Sequence, residues 1–289
     1  MKIVVGIDDY RECVSRIPPK GKWRAWFEDY YSRHKEVFDL IFKYLYMADV
    51  EAMRMLVEAC DFHNNLEIAE RFLACGGIEK LKQILPTCED FLDYHGDYRL
   101  FVLVGIGQVG GTAPPSPHPL MYLGAECIGC DMRKLELLLS HEFHHLVRFQ
   151  ALTSEAVDMA GYTFGELIVT EGMATAFSMV VQGLGFDAPA LKSALFMNDE
   201  ALSYCTSNRN ALIQEILDHR NSSVTQDLMS KYLYAGNQMD TGGMPGNVGY
   251  YVGTAIVSDL LAQGMDLRQL TNMSGNEVIN LWEKLKSPG

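Results

Sequence analysis

The sequence predicts an α+β protein that is predominantly α-helical, with a small β-sheet. Three observations carry this reading. Apolar residues recur at helical spacing from about Trp23 to Leu85. Two short β-branched and aromatic runs follow, bounded by glycine and proline. After them come three apolar segments with helical patterning, near residues 132–149, 164–182 and 250–261.

In chain order, Met1-Lys-Ile-Val-Val-Gly-Ile-Asp8-Asp9 reads as a strand or a buried tail. Its apolar run is too short, and too soon acidic, for a signal peptide. The helical region then repeats Val37, Leu40, Ile41, Tyr44 and Leu45, next Met53, Leu56, Val57 and Ala59, and finally Phe72, Leu73, Ile78, Leu81 and Ile84. Gly76-Gly77 and Pro86 punctuate it. Its methionine and aromatic stripe reads as core. Tyr98 to Gly105 has the pattern of a strand, and Met121 to Ala125 that of a second. Pro114, Pro115, Pro117 and Pro119 mark the loop between them. The expected organisation is a helical N-terminal region, residues 1–96, packed on a core domain, residues 97–289.

Composition narrows the function classes. The 289 residues are 48% hydrophobic and 21% charged, as in a globular protein with a sizeable core. A net charge of −13 disfavours nucleic acid, and the short basic run Lys20-Gly-Lys22-Trp-Arg24 reads as a solvated turn. No uninterrupted apolar stretch approaches bilayer length, so no membrane partner is expected. The seven cysteines are odd in number and scattered. A disulfide framework is not expected, a reducing cytoplasm fits better, and most of them read as small buried hydrophobes.

The most informative stretch is His141-Glu142-Phe143-His144-His145, an H-E-x-x-H pattern within an apolar helical segment. Residues four apart in a helix lie about 40° apart around the axis and about 6 Å along it. His141 and His145 therefore project side by side, as two nitrogen ligands of one zinc ion require. Glu142 leaves the helix beside that position, where a carboxylate can act as general base toward a water. The competing reading is a buried helix whose histidines are merely hydrogen-bonded. His144 could compete for the zinc, but it points about 60° away from His141 around the helix, as a residue that hydrogen-bonds behind the ligands would. Arg148 shares the face of His141 and His145. It either anchors a nearby carboxylate or forms a surface salt bridge.

A catalytic zinc needs a third protein ligand and one open position. A third histidine after a glycine fails here, because Arg148 replaces the glycine and Ala151 the histidine. Glu171 is the first candidate, because a carboxylate among Val169, Met173 and Ala174 is costly to bury unless paired or metal-bound. The small Gly172 and Ala174 would let this helix approach the H-E-x-x-H helix closely. Glu166, Glu155 and Asp158 are the rivals. Glu166 lies near the helix start, where an acid is favoured without any function. A turn around Thr153-Ser154-Glu155 and a connection through Gly161 would join the two helices.

His141-Glu142-Phe143-His144-His145-Leu146-Val147-Arg148, followed by Thr170-Glu171-Gly172-Met173-Ala174, resembles a bacterial family of zinc-dependent proteases classed as a domain of unknown function. That family carries an H-E-x-x-H-H motif and a downstream E-G-x-A motif. Gly249-Tyr250-Tyr251-Val252-Gly253 is similar to its G-Y-x-x-G element. The resemblance spans roughly residues 98–282. The chain departs from the pattern at Thr254, where an aromatic is common, and in its first 95 residues. The resemblance implies a zincin-like core of the gluzincin type, with one zinc ion held by two histidines and a glutamate, and a peptide or protein substrate. It also implies a small sheet beside the H-E-x-x-H helix whose edge strand pairs with an extended peptide. Leu120–Glu126 is assigned to that strand.

The helix at Tyr250–Leu261 follows the glycine-rich Thr241-Gly-Gly-Met-Pro-Gly-Asn247, with Asn247 as its expected N-cap. A tyrosine at this helix start could donate its phenol to a tetrahedral oxyanion. Tyr250 is the first choice and Tyr251 the second, against the reading of a packed aromatic. His219, in a polar stretch, reads as surface.

Two patterns compete with the metal reading. Gly105-Ile-Gly107-Gln-Val-Gly110 matches G-x-G-x-x-G, but the prolines that follow exclude the helix a dinucleotide site needs. Cys127-Ile-Gly-Cys130 has the spacing of a thiol redox pair. The sequence thus favours a zinc-dependent peptidase with Glu142 as general base. A catalytically inactive metal-binding or regulatory protein and a C-x-x-C redox protein are the alternatives.

Overall fold

The first residues supply an edge strand of the sheet. In the computed structural model, which describes residues 1–152, 162–233 and 244–286, the described residues divide into two compact units, Met1–Leu146 and Val147–Gly289. The expected boundary between residues 96 and 97 falls inside the first. The expected turn at Thr153–Glu155, the connection through Gly161 and the run at residues 241–243 lie outside the described residues.

The first unit begins with β1 (Lys2–Val5) and six helices: α1 (Ile7–Val14), α2 (Lys22–Trp26), α3 (Lys35–Leu45), α4 (Arg54–Ala59), α5 (Phe62–Ala74) and α6 (Gly77–Leu92). Gly76 separates α5 from α6 in a left-handed conformation, φ 76°, that costs glycine little. Pro86, expected to interrupt this region, instead lies inside α6. Its fixed φ suits a helix and the residue faces solvent, and the burial of Leu81, Ile84, Leu85 and Cys88 offsets the lost N–H and the ring's clash with the preceding turn. The core here is aromatic: Trp26 packs against Tyr31, Phe38 and Phe42 at centroid distances of 5.4, 5.5 and 6.4 Å.

Three more strands follow, β2 (Arg99–Leu103), β3 (Gly111–Thr112) and β4 (Leu120–Gly124), in a sheet of order β1-β2-β4-β3. β1 runs parallel to β2 from Lys2↔Arg99 to Val5↔Val102, and β2 parallel to β4 from Arg99↔Leu120 to Leu103↔Gly124. β3 is antiparallel to β4, with Gly111 opposite Leu123. β4 is buried along its whole length, as an inner strand of a covered sheet should be. The assignment of Leu120–Glu126 to the exposed edge is therefore corrected: β4 is paired on both sides, and the edge on that flank is β3. The G-x-G-x-x-G run leads into β3 and no helix follows it.

The sheet is followed by α7 (Met132–Leu152), which begins in the first unit and ends in the second. Its middle is pinned by Phe143, edge-on to Tyr94 and Tyr98 at 5.8 and 5.6 Å.

The second unit contains α8 (Phe164–Val181), α9 (Ala188–Ala194), α10 (Asp199–Ser207), α11 (Arg209–Leu217), α12 (Gln226–Tyr232), α13 (Val248–Ala262), α14 (Leu267–Thr271) and α15 (Gly275–Lys286). α8 opens with Thr163 as its N-cap, Thr163 Oγ1 accepting from the Glu166 N–H at 3.2 Å. Interrupted only by Glu166 and Glu171, α8 is long and apolar enough to cross a membrane by length and composition, but 72% of that window is buried in the protein. That is the character of a core helix. Asn247 precedes α13 but caps it with no side-chain bond. It adopts a left-handed φ of 61°, and its Nδ2 donates to the Leu195 carbonyl at 3.0 Å.

Cys75 and Cys130 form a disulfide within the first unit, a single bridge where the cysteine count and spacing argued against a disulfide framework. It escaped the sequence reading because its partners are 55 residues apart. Cys13, Cys60, Cys88 and Cys205 are buried and free, as small apolar side chains would be.

Candidate metal centre

His141 and His145 stand on consecutive turns of α7, with their rings nearly perpendicular at 85° and 4.6 Å apart. Their Nε2 atoms face one another at 2.9 Å. Two nitrogens bound tetrahedrally to one ion at about 2.0–2.1 Å each would lie about 3.3–3.4 Å apart. The pair is thus already converged close to the spacing a shared zinc requires. Among the described residues, one group of three could hold a metal ion: His141, His145 and Glu171, whose ligand atoms all lie within 4.8 Å of one another. Two neutral imidazoles and a carboxylate are a donor set suited to zinc.

Helix propagation explains the local arrangement. The four residues from His141 to His145 are a little more than one turn, so their side chains align. Glu142 is only 5% exposed. It lies against the edge strand, where a Cβ on Gly111 would come within 3.0 Å of the Glu142 Cγ. The absence of a side chain at Gly111 gives the carboxylate arm its room. His144 is completely buried on another face of α7.

Of the rival ligands, Glu166 has both carboxylate oxygens engaged. Oε1 accepts from Arg148 Nη2 at 2.5 Å, and Oε2 accepts the Gly275 N–H. Glu155 and Asp158 lie outside the described residues. Arg148 has no exposure, so the surface salt bridge is excluded and the anchored carboxylate is Glu166.

Gly172 of the E-G-x-A motif packs closely against α13. A Cβ on Gly172 would meet Gly253 of α13, with the Gly253 carbonyl carbon 2.1 Å away. On α13, Tyr250 is half-buried and Tyr251 is 5% exposed. Burial raises the Tyr251 phenol pKa, opposed by a hydrogen bond with Thr206, so Tyr251 belongs to the packing of α13 against its neighbours. His219 packs 6.2 Å from the Tyr232 ring.

Tyr162 and Thr170 were not singled out from sequence. The Tyr162 hydroxyl donates to Thr170 Oγ1 at 2.9 Å, and burial followed by the Glu166 charge raises its pKa. The N-cap pattern Thr163-x-x-Glu166 was the one local signal that could have drawn attention to this end of α8.

The C-x-x-C pattern does not form a redox pair. Cys130 is joined to Cys75, and burial followed by the charge of Glu126 pushes the Cys127 thiol up to about 12. A reactive thiol needs the opposite shift.

A family model described as predicted Zn-dependent protease (DUF2268) matches residues 120–280, more than half of the chain. The match runs from β4 to α15 and includes both metal motifs and the G-Y-x-x-G element. No curated protein and no solved structure matches the chain.

Proposed function

The chain belongs to this family of predicted Zn-dependent proteases, and from that premise we propose that it is a gluzincin-type peptidase with a zincin-like core. His141, His145 and Glu171 would hold one zinc ion. The observation that carries the reading is the convergence of the two Nε2 atoms at 2.9 Å, together with Glu171 in the same donor group.

Bound there, zinc would supply Lewis-acid polarisation of a scissile carbonyl and would acidify a water. Glu142 accepts a proton from the attacking water on its carboxylate and delivers it to the departing amine. Its burial keeps bulk water from competing for that carboxylate. The peptide lies along the free edge of β3, joined by backbone hydrogen bonds, so that its carbonyl comes beside Glu142. Gly111 supports this choice of strand, because its bare backbone is what the Glu142 arm packs against. Tyr250, half-buried at the start of α13, donates its phenol to the oxyanion.

The test is zinc content and hydrolysis of a diverse peptide library by wild type, Glu142→Gln and Glu171→Ala. Glu142→Gln should lose at least about 100-fold in turnover while zinc stays bound. Glu171→Ala should weaken zinc by more than the 10- to 100-fold typical of a supporting residue. A wild type that carries zinc and cleaves nothing would make this a metal-binding protein without catalysis. Unchanged zinc affinity in Glu171→Ala would remove that residue from the ligand set.

A further inference from the structure

Arg148 ends in a closed network. Its Nε donates to Thr170 Oγ1 at 3.0 Å and its Nη2 to Glu166 Oε1 at 2.5 Å. Its Nη1 donates to the Thr271 carbonyl at 3.0 Å and to the Leu270 carbonyl at 3.4 Å, and lies 3.3 Å from Met173 Sδ. Glu166 passes the link on through Oε2 to the N–H of Gly275, the first residue of α15. A Cβ on Gly275 would come 2.7 Å from the Glu166 Cα, so this approach requires glycine. One fully buried guanidinium thus joins the end of α7 to α8, α14 and, through Glu166, α15.

The positions involved connect this network to the donor group. Arg148 follows His145 by three residues and His141 by seven, on one face of α7. Its partners Glu166, Thr170 and Met173 make one stripe of α8, and Thr170 immediately precedes Glu171. Sliding either helix by one residue, about 1.5 Å, would break the Thr170 and Glu166 bonds together. Metal–ligand distances tolerate only about 0.2 Å. A buried ion pair is weak evidence of a stabilising role, since apolar replacements are often as stable. Its directional bonds do admit only one register.

We propose that Arg148 is a positioning residue that locks the register of α7 against α8 and so holds Glu171 where a third ligand is needed. The proposal rests on the zinc reading above. It assigns Arg148 no contact with substrate.

The experiment uses the full chain, stripped of metal, as wild type, Arg148→Lys, Thr170→Val and the double variant Arg148→Met/Glu166→Leu, which removes both charges and keeps the volume. Zinc affinity is measured by chelator competition, the visible spectrum with cobalt in place of zinc, and Tm without metal. The double variant should keep a Tm near wild type, bind zinc about 10- to 100-fold more weakly and show an altered cobalt spectrum. Arg148→Lys, with one point charge in place of the fork, should fall between. A folded double variant with wild-type zinc affinity and cobalt spectrum overturns the proposal. Should the double variant not fold, Thr170→Val decides: several-fold weaker zinc binding supports the proposal and unchanged binding overturns it. A wild type that takes up no zinc overturns the metal reading and this proposal with it. Zinc uptake by wild type with unaffected variants overturns the positioning role alone.

Discussion

Gly172 on α8 and Gly253 on α13 meet backbone to backbone, with no side chain between them. A Cβ on Gly172 would sit 2.1 Å from the Gly253 carbonyl carbon, and a Cβ on Gly253 would sit 2.1 Å from the Ile168 carbonyl oxygen. Gly172 follows Glu171 directly, and Gly253 lies one turn beyond Tyr250. The glycines of the two motifs therefore serve one purpose, which is to bring the helix bearing the candidate ligand against the helix bearing the candidate phenol. Gly249, one turn earlier on α13, extends the same face, where an added Cβ would meet Ile168 and Leu233 at 2.8 Å.

Gly172→Ala should be destabilising out of proportion to one methyl group. The obstacle is helix backbone, which cannot swing aside as a flexible side chain can. The expected loss is about 3 kcal/mol or more, the upper end for overpacking. Gly185→Ala, where an added Cβ meets nothing within 4 Å, is the control and should melt near wild type. Equal melting temperatures for the two variants would contradict the close crossing.

Tyr250→Phe removes the phenol and keeps the ring. Turnover should fall by about 100-fold or more, as for loss of one oxyanion donor, with zinc affinity unchanged. Tyr251→Phe should leave turnover near wild type, because that hydroxyl is tied to Thr206. Steady-state kinetics on both variants distinguishes them, and the opposite ranking would transfer the role to Tyr251.

Glu126 gives the protein a pH dependence of its own. Burial raises its carboxyl to about 7, although its Oε1 accepts the N–H groups of Gly105 and Gly107 at 2.8 and 3.3 Å. A carboxyl that binds its proton more tightly folded than unfolded makes the folded state lose stability as pH rises. The loss starts near the ordinary glutamate value of 4.5 and is complete just above pH 7. Its size is about 3 kcal/mol. Glu126→Gln cannot titrate, so its stability relative to wild type should improve by that order between pH 4.5 and 8. Parallel denaturation curves across that range would remove Glu126 as the cause.

The Cys75–Cys130 disulfide closes a separation of 55 residues. By chain entropy such a loop is worth about 4 kcal/mol. Non-reducing peptide mapping should recover the linked pair, with Cys127 as a free thiol. Reduction should lower the melting temperature, and a Cys75→Ser/Cys130→Ser variant should match the reduced wild type. A Cys127–Cys130 linkage would revive the redox reading.

Much of this molecule could be read locally. The strands at Arg99–Leu103 and Leu120–Gly124 and the helices carrying His141, Glu171 and Tyr250 all follow from apolar runs and periodicities within a window of residues. The facing of His141 and His145 needs only the pitch of a helix. Pro86 was misread because the apolar packing of α6 outweighs the local cost of a proline within the helix, about 3 kcal/mol. The apolar character of α8 is interrupted in the sequence only by Glu166 and Glu171, and its burial in the protein is what marks it as a core helix.

What the sequence determined by itself is the metal motif on α7, because ligand spacing within one helix is fixed by backbone geometry alone. Tertiary structure decided the rest: that β1 pairs with β2 from nearly a hundred residues away, that β4 is interior and β3 is the edge, that Glu166 answers Arg148, and that Cys130 finds Cys75. Each of these depends on which surfaces meet when distant segments bury their apolar faces together, and a residue's type says nothing of its partner across such a gap.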